Sequence, residues 1–156
     1  MEAHTKAAPT ATAASIPETA DREPERDAVI ASLETYFADQ QDVTLAILFG
    51  SVAKGTHTPA SDIDVAIHTE PPADISRLID IRTELSLLTR REVDLVDLHQ
   101  ADGIILTRIL SHGVRIKDNP NLYASYNLKA IYFNEDYLPL LRRMQKAHIE
   151  RFIHGS

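Results

Sequence analysis

Cysteine and tryptophan are absent from the 156 residues of the chain. Without cysteine there is no disulfide framework, no thiol nucleophile and no cysteine-ligated metal site. Long apolar runs are missing as well, because the longest spans only residues 45–49, against the roughly 20 residues that a membrane-spanning helix needs. The sequence therefore predicts a protein that does not span a membrane.

Basic residues are in the minority. The chain has 23 acidic and 16 basic side chains, for a formal net charge of -7. This balance removes the broad basic surface on which non-specific phosphate-backbone binding depends, so we expect no direct binding of nucleic acid. The length fits one domain with a modest core.

The first 23 residues contain few large apolar side chains. Residues 1–23 are rich in Ala, Thr and Pro and show neither helical nor strand periodicity. Such a segment buries too little surface to offset its ordering entropy, which predicts a disordered tail followed by a domain over residues 24–156. No apolar stretch of a secretory signal follows a basic start, so a cytoplasmic location is expected.

Periodicity from residue 24 onward predicts an α+β domain. The predicted helices cover residues 24–38, 74–90 with Asp74 as N-cap, and 101–112 with Gly113 as the stop. The predicted strands cover residues 43–49, 62–68, 92–98 and 114–117. A C-terminal helical region, interrupted near residues 134–139, carries one apolar face formed by Tyr126, Ala130, Phe133, Tyr137, Leu141 and Met144.

Glycine is scarce, and its placement is informative. No glycine precedes Gly50, which directly follows the first predicted strand, and Gly55 comes soon after. Gly50 has no Cβ, so backbone amides there can approach a ligand closely, and Ser51 adds a hydroxyl donor. The helical turn that follows presents free N–H groups. This arrangement is typical of a phosphate-binding site.

Acidic residues then recur on the strands. Asp62 and Asp64 are two positions apart, so their carboxylates project from one face while the alternate residues enter the core. Two carboxylates this close favour a magnesium ion that also binds substrate phosphates. Asp94 on the third strand points to the same face if the strands are neighbours, where it shares a second metal or accepts a proton. Asp97 has the opposite parity and is interpreted either as a strand-end residue or as one that supports the metal-binding carboxylates without binding metal itself.

The stretch GSVAKGTHTPASDID together with VDLV resembles the signature of the DNA polymerase β-like nucleotidyltransferase superfamily. The phrase ILFGSVAKGTHTPASDIDVAI and the following REVDLVDL are most similar to the minimal nucleotidyltransferases, the MntA-type antitoxins of HEPN/MNT toxin–antitoxin systems. The resemblance covers roughly residue 28 to the C-terminus. It implies a small mixed β-sheet with helices packed on one face.

The resemblance also implies roles for individual residues. Gly50 and Ser51 hold the triphosphate, Lys54 contacts phosphate, and Asp62, Asp64 and Asp94 bind metal, with two Mg²⁺ ions and ATP as substrate. Family members transfer AMP from ATP to a tyrosine of the cognate HEPN ribonuclease toxin, which implies a hetero-oligomer with that toxin.

Two alternatives remain open at this stage. One is an antitoxin that masks its toxin without catalysis. The other is a nucleotidyltransferase for a small hydroxylated acceptor such as an aminoglycoside, although the chain offers no separate acceptor domain.

Overall fold

A computed structural model describes residues 21–155 of the chain. The first helix, α1 (Arg22–Ala38), begins at Arg22 rather than at the predicted residue 24. Glu23 and Glu25 lie in its first turn, where negative charge stabilises the N-terminal end of the helix dipole. Residues 1–20 of the tail predicted over residues 1–23 lie outside the described residues, so the tail stays a prediction there. Arg22 and Glu23 belong to α1.

The remaining elements follow the predicted order. They are β1 (Val43–Phe49), α2 (Gly50–Lys54), β2 (Ile63–Thr69), α3 (Ile75–Thr89), β3 (Val93–Asp97), α4 (Gly103–His112), β4 (Val114–Lys117), α5 (Pro120–Tyr132), a π-helical turn (Phe133–Tyr137) and α6 (Leu138–His154). The predicted N-cap is confirmed, because the Asp74 side chain accepts a 2.8 Å hydrogen bond from the backbone N–H of Arg77. Asn119 caps α5 in the same way, with the N–H of Leu122 as donor at 3.2 Å.

The four strands form one mixed sheet in the order β3-β2-β1-β4. β1 runs antiparallel to both β2 and β4, whereas β2 and β3 are parallel. The parallel pair needs a crossover connection, which α3 provides. The α+β class and the mixed sheet are confirmed.

Helices cover both faces of the sheet, although one covered face was predicted. Helices α1 and α3 pack on one face through the buried residues Val29, Leu33, Phe37, Ile81 and Leu85. Helices α4 and α5 pack on the other through Leu106, Ile109, Tyr126 and Ala130. The reason lies in the central strands, because β1 and β2 are each buried at six of seven positions and so have an apolar side chain to cover on either face.

Helix α4 ends at Gly113 as predicted, but for a different reason. Gly113 has an extended backbone, with φ of -70°, rather than the left-handed one of a glycine helix stop. A Cβ at this position would lie 2.2 Å from the carbonyl oxygen of Ile109 and 2.5 Å from a methyl carbon of Ile47. Close packing between α4 and β1 therefore requires the glycine.

The predicted irregularity in the C-terminal region is the π-helical turn, through which the helix continues instead of stopping. Tyr126 and Ala130 of the predicted apolar face are buried in the core. Beyond the turn the face is uncovered: Met144 is 61% and Phe152 is 86% exposed. No buried residue occurs in α6 as far as the structure describes it. Nor is any helix within residues 21–155 both long and apolar enough to cross a membrane.

Candidate active site

The chain makes a tight turn where β1 ends. Gly50 has a left-handed backbone, with φ of +74°, and starts the single helical turn α2. Ser51, the second residue of that turn, is half-buried. Gly55 ends α2 with a left-handed backbone as well, with φ of +72°. The N–H of Thr56 then donates to the carbonyl oxygen of Ser51 at 3.0 Å, which closes the turn.

Three aspartates gather at the same end of the sheet. Asp64 on β2 lies opposite Phe49 of β1 on one side and opposite Asp94 of β3 on the other. Asp64 and Asp94 project from the same face, because residues in register on neighbouring strands point the same way. Asp62 lies just before β2. Burial raises the pKa of Asp64, and the negative charges of Asp94 and Asp62 raise it further.

The aspartates match magnesium in donor chemistry. Within residues 21–155 no three His, Cys, Asp or Glu side chains already form a group that encloses a metal ion. Mg²⁺ does not require such a group, because one or two carboxylates, water and substrate phosphates complete its coordination. Asp62 and Asp94 repel the negative charge of Asp64. A divalent cation bound among the three carboxylates would offset this repulsion. The residues therefore fit Mg²⁺ that arrives with a triphosphate.

Lys54 and Asp97 each lie at the end of a secondary-structure element. Lys54 is exposed at the carboxyl end of α2, away from the end that begins at Gly50. Asp97 is a strand-end residue, as predicted, since its Oδ1 accepts a hydrogen bond from the backbone N–H of His99 at 2.9 Å.

Comparison with known proteins identifies the family. The family described as "Polymerase beta, Nucleotidyltransferase" matches residues 31–121. The chain belongs to this nucleotidyltransferase family. The matched range contains all six predicted site residues, from Gly50 to Asp94. The resemblance drawn from the sequence motifs is confirmed at this level.

The nucleotidyltransferase is also similar to a curated protein, the protein adenylyltransferase MntA of Shewanella oneidensis strain MR-1. The two are 31% identical over 72 residues, which is 46% of this chain and 52% of MntA. The chain therefore spans about half the length of the curated relative it matches.

Solved structures share its fold. One is a toxin–antitoxin with AMP-PNP, with a TM-score of 0.61 at 23% identity, covering 82% of this chain and 98% of that one. Another is a tri-AMPylated HEPN toxin of Shewanella oneidensis in complex with an MNT antitoxin. It matches with a TM-score of 0.57 at 20% identity, covering 85% of this chain and 98% of that one. At these identities the likeness shows the fold.

Arg108 of the nucleotidyltransferase is a candidate site residue that the sequence pattern did not reveal. It lies on α4, which packs on the face of the sheet from which Asp64 projects. Its positive charge lowers the pKa of Asp64, in opposition to burial and to the neighbouring aspartates. Its signal in the sequence is slight, one charged residue within the apolar stretch IILTRIL. Its closeness to Asp64 depends on how α4 docks, which periodicity does not reveal.

Proposed function

We propose that this chain is a magnesium-dependent adenylyltransferase that transfers AMP from ATP to a tyrosine hydroxyl of a cognate HEPN ribonuclease toxin, and that it acts as the antitoxin. The observation that carries the proposal is the register of Asp64 between Phe49 and Asp94, which unites the turn at Gly50 with the carboxylates. Membership of the nucleotidyltransferase family supports the reaction class. The similarity to MntA, a protein adenylyltransferase, supports the acceptor class.

Each site residue has a role in this proposal. The backbone at Gly50 and the Ser51 hydroxyl bind the triphosphate, and the positive charges of Lys54 and Arg108 attract it. Asp62, Asp64 and Asp94 are the carboxylates that would hold Mg²⁺. When bound, Mg²⁺ neutralises phosphate charge as the phosphorus is attacked.

The transfer itself is an in-line displacement. The tyrosine oxygen forms a bond to the α-phosphorus of ATP, the bond from that phosphorus to the bridging oxygen of the β-phosphate breaks, and pyrophosphate leaves. The hydroxyl proton passes to a carboxylate, for which the exposed Asp94 is our candidate. The product is a phosphodiester between AMP and the toxin.

A protein is a suitable acceptor for the proposed reaction. A transferase for small molecules encloses its acceptor with its own residues, whereas a protein acceptor contributes part of the binding surface itself. The likeness in fold to the complex of an AMPylated HEPN toxin with an MNT antitoxin supports such an assembly. A cytoplasmic location, where ATP is supplied, is part of this proposal.

The test is label transfer between purified proteins. The chain is incubated with ATP, Mg²⁺ and the purified protein proposed as its cognate HEPN toxin, and intact mass is measured. We expect a gain of one or more AMP units on the partner, which is lost in the Asp62→Ala/Asp64→Ala double variant. An unmodified partner, in a reaction where an established adenylyltransferase labels its own target, would refute the proposal.

Masking of the toxin without catalysis is the second candidate. The uncovered apolar residues of α6, of which Ile153 is 68% exposed, favour a protein partner and do not depend on chemistry. Co-expression separates the candidates. If the Asp62→Ala/Asp64→Ala variant protects cells from the toxin as well as the wild type does at the same expression level, masking is the mechanism.

A further inference from the structure

Arg91 connects three parts of the chain around the predicted active site. It lies between α3 and β3, and its side chain is only 11% exposed. Its Nη1 donates hydrogen bonds to the carbonyl oxygens of Thr58 and Ser61, each at 3.1 Å. Its Nη2 forms an ion pair with the carboxylate of Glu25 on α1. One guanidinium thus ties the loop over residues 55–61 to the first helix.

These contacts bear on the predicted active site because they lie next to Asp62 along the chain. The residue before it, Ser61, accepts from the side chain of Arg91. The residue after it, Ile63, donates its N–H to the carbonyl oxygen of Glu92 at 2.9 Å. Consecutive residues 91 and 92 therefore hold the backbone on both sides of Asp62, although Asp62 itself is exposed.

Helix α1 holds the same loop from its other end. Glu25 Oε2 lies 3.2 Å from Nε2 of His57, whose side chain is 1% exposed. Arg26 Nε donates to the carbonyl oxygen of Ala53 in α2 at 3.0 Å. The Glu25 carboxylate therefore contacts both His57 of the loop and Arg91.

We propose that Arg91 is a positioning residue for nucleotidyl transfer: by holding the carbonyl oxygens of Thr58 and Ser61, it fixes the direction in which the Asp62 carboxylate faces Asp64. Arg91 itself touches neither ATP nor metal in this role. The catalytic consequence rests on the proposed function, whereas the effect on the loop does not. An arginine suits the position, because its rigid planar fork reaches several acceptors at once and a lysine ammonium does not.

The informative variant is Arg91→Lys, which keeps a positive charge beside Glu25 but loses the fork. Arg82→Lys is the matched control. Arg82 Nε also donates to a backbone carbonyl of β3, that of Val93 at 3.0 Å, and its Nη2 lies 3.9 Å from an oxygen of Glu92. Arg82 makes none of the loop contacts described for Arg91, so its replacement reports the cost of losing an arginine near β3.

The first measurement is amide hydrogen exchange of the full chain without metal or nucleotide. In Arg91→Lys we expect exchange over residues 55–62 to accelerate about tenfold, equivalent to roughly 1.4 kcal/mol of lost protection, while β1 and α3 exchange as in the wild type. Arg82→Lys is expected to leave this loop unchanged. Wild-type exchange of the loop in folded Arg91→Lys overturns the inference.

The second measurement is AMP transfer with purified toxin as acceptor. For Arg91→Lys we expect kcat to fall by about 10- to 100-fold with KM for ATP changed by less than about twofold, since a misaligned carboxylate affects the transition state more than ATP binding. The Mg²⁺ concentration for half-maximal rate is expected to rise, so excess Mg²⁺ partly restores the rate. An equal loss in Arg82→Lys, or a loss that Mg²⁺ does not change, counts against positioning.

The two arms keep the inference apart from the proposed function. If the wild-type chain transfers no AMP, the proposed function fails while loop exchange still decides whether Arg91 fixes Asp62. If Arg91→Lys does not fold, Arg91→Gln takes its place, because its short neutral amide also loses the planar fork that reaches Thr58 and Ser61. We expect the same acceleration of exchange in the loop, and its absence in folded Arg91→Gln overturns the inference.

Discussion

The backbone of Gly50 lies directly against the side chain of Asp64: a Cβ atom built on Gly50 would be 2.0 Å from Oδ2 of Asp64. Real Cβ atoms do not approach an oxygen so closely, so any other residue at position 50 displaces the carboxylate. The glycine therefore has a role that does not depend on the predicted phosphate binding. It leaves the space in which Asp64 reaches the turn between β1 and α2.

Gly55 makes it possible to separate this contact from backbone strain. Gly50 and Gly55 have nearly the same left-handed φ, +74° and +72°, but a Cβ on Gly55 would meet no atom within 4 Å. We predict that Gly50→Ala and Gly55→Ala each lose about 1 kcal/mol of stability from the strained φ. Only Gly50→Ala is expected to lower kcat by about 100-fold or more, because it moves Asp64.

Thermal melting and AMP transfer, measured on both variants, check this prediction. Equal activity losses would mean that strain in the turn, rather than the position of Asp64, accounts for the requirement at residue 50.

The place of Asp64 on a strand was readable from the apolar alternation at residues 63, 65 and 67. Asp62 lies just before β2, so strand periodicity alone does not fix the direction of its carboxylate. The second helical layer was readable in principle too. Every residue of the apolar run 45–49 is buried, and such a run belongs to a strand covered on both faces. The role of Arg91 was not readable, since its contacts with residues 58 and 61 arise only when β3 lies beside β2.

Charge repulsion predicts a trade of stability for activity at Asp64. Its pKa is raised by burial, Asp94 and Asp62, so the ionised form is disfavoured in the folded state at neutral pH. We expect Asp64→Asn to raise the Tm of the metal-free protein by about 3 °C while abolishing AMP transfer. Melting in the presence of EDTA measures the effect. The exposed Asp80→Asn, with the same change in net charge, serves as control and is expected to leave Tm unchanged.

A buried hydrogen bond predicts a stability loss at Tyr126. Its hydroxyl lies 2.6 Å from Nδ1 of His68. Burial and the charge of Asp97 raise the pKa of Tyr126 to about 12, so the hydroxyl stays protonated and shares a hydrogen bond with Nδ1 of His68. Tyr126→Phe leaves the His68 nitrogen unpaired and should cost about 1–3 kcal/mol in urea unfolding at pH 8. Tyr123→Phe, where Arg115 lies over the ring at 4.4 Å, should cost less than about 0.5 kcal/mol.

His68 also predicts how stability responds to acid. Burial and the neighbouring His99 lower its pKa below the ordinary 6.5, against the opposing charges of Glu70 and Asp97. Between that ordinary value and the lowered one, the unfolded chain binds a proton that the folded chain does not, so the free energy of unfolding decreases as the pH falls. Urea unfolding from pH 8 to pH 5 should show this decrease.

The pH slope should be smaller in His68→Gln than in the wild type. Burial and the positive charges of Arg22 and Arg26 lower the pKa of His57 as well, so part of the slope is expected to persist in that variant. An identical slope in both proteins would exclude His68 as its source.

Two basic residues near the candidate site, Arg108 and Lys54, can be compared as the positive charge that attracts ATP in the proposed reaction. Arg108 is close enough to Asp64 to lower its pKa, whereas Lys54 is exposed at the far end of α2. Because attraction between charges weakens with distance and screening, we predict that Arg108→Gln raises KM for ATP by about tenfold and that Lys54→Gln raises it less than about threefold. Steady-state AMP transfer at low and high salt measures both values. The Arg108→Gln effect should shrink at high salt, and a larger effect at Lys54 would instead assign the phosphate contact to the residue that the family motif implies.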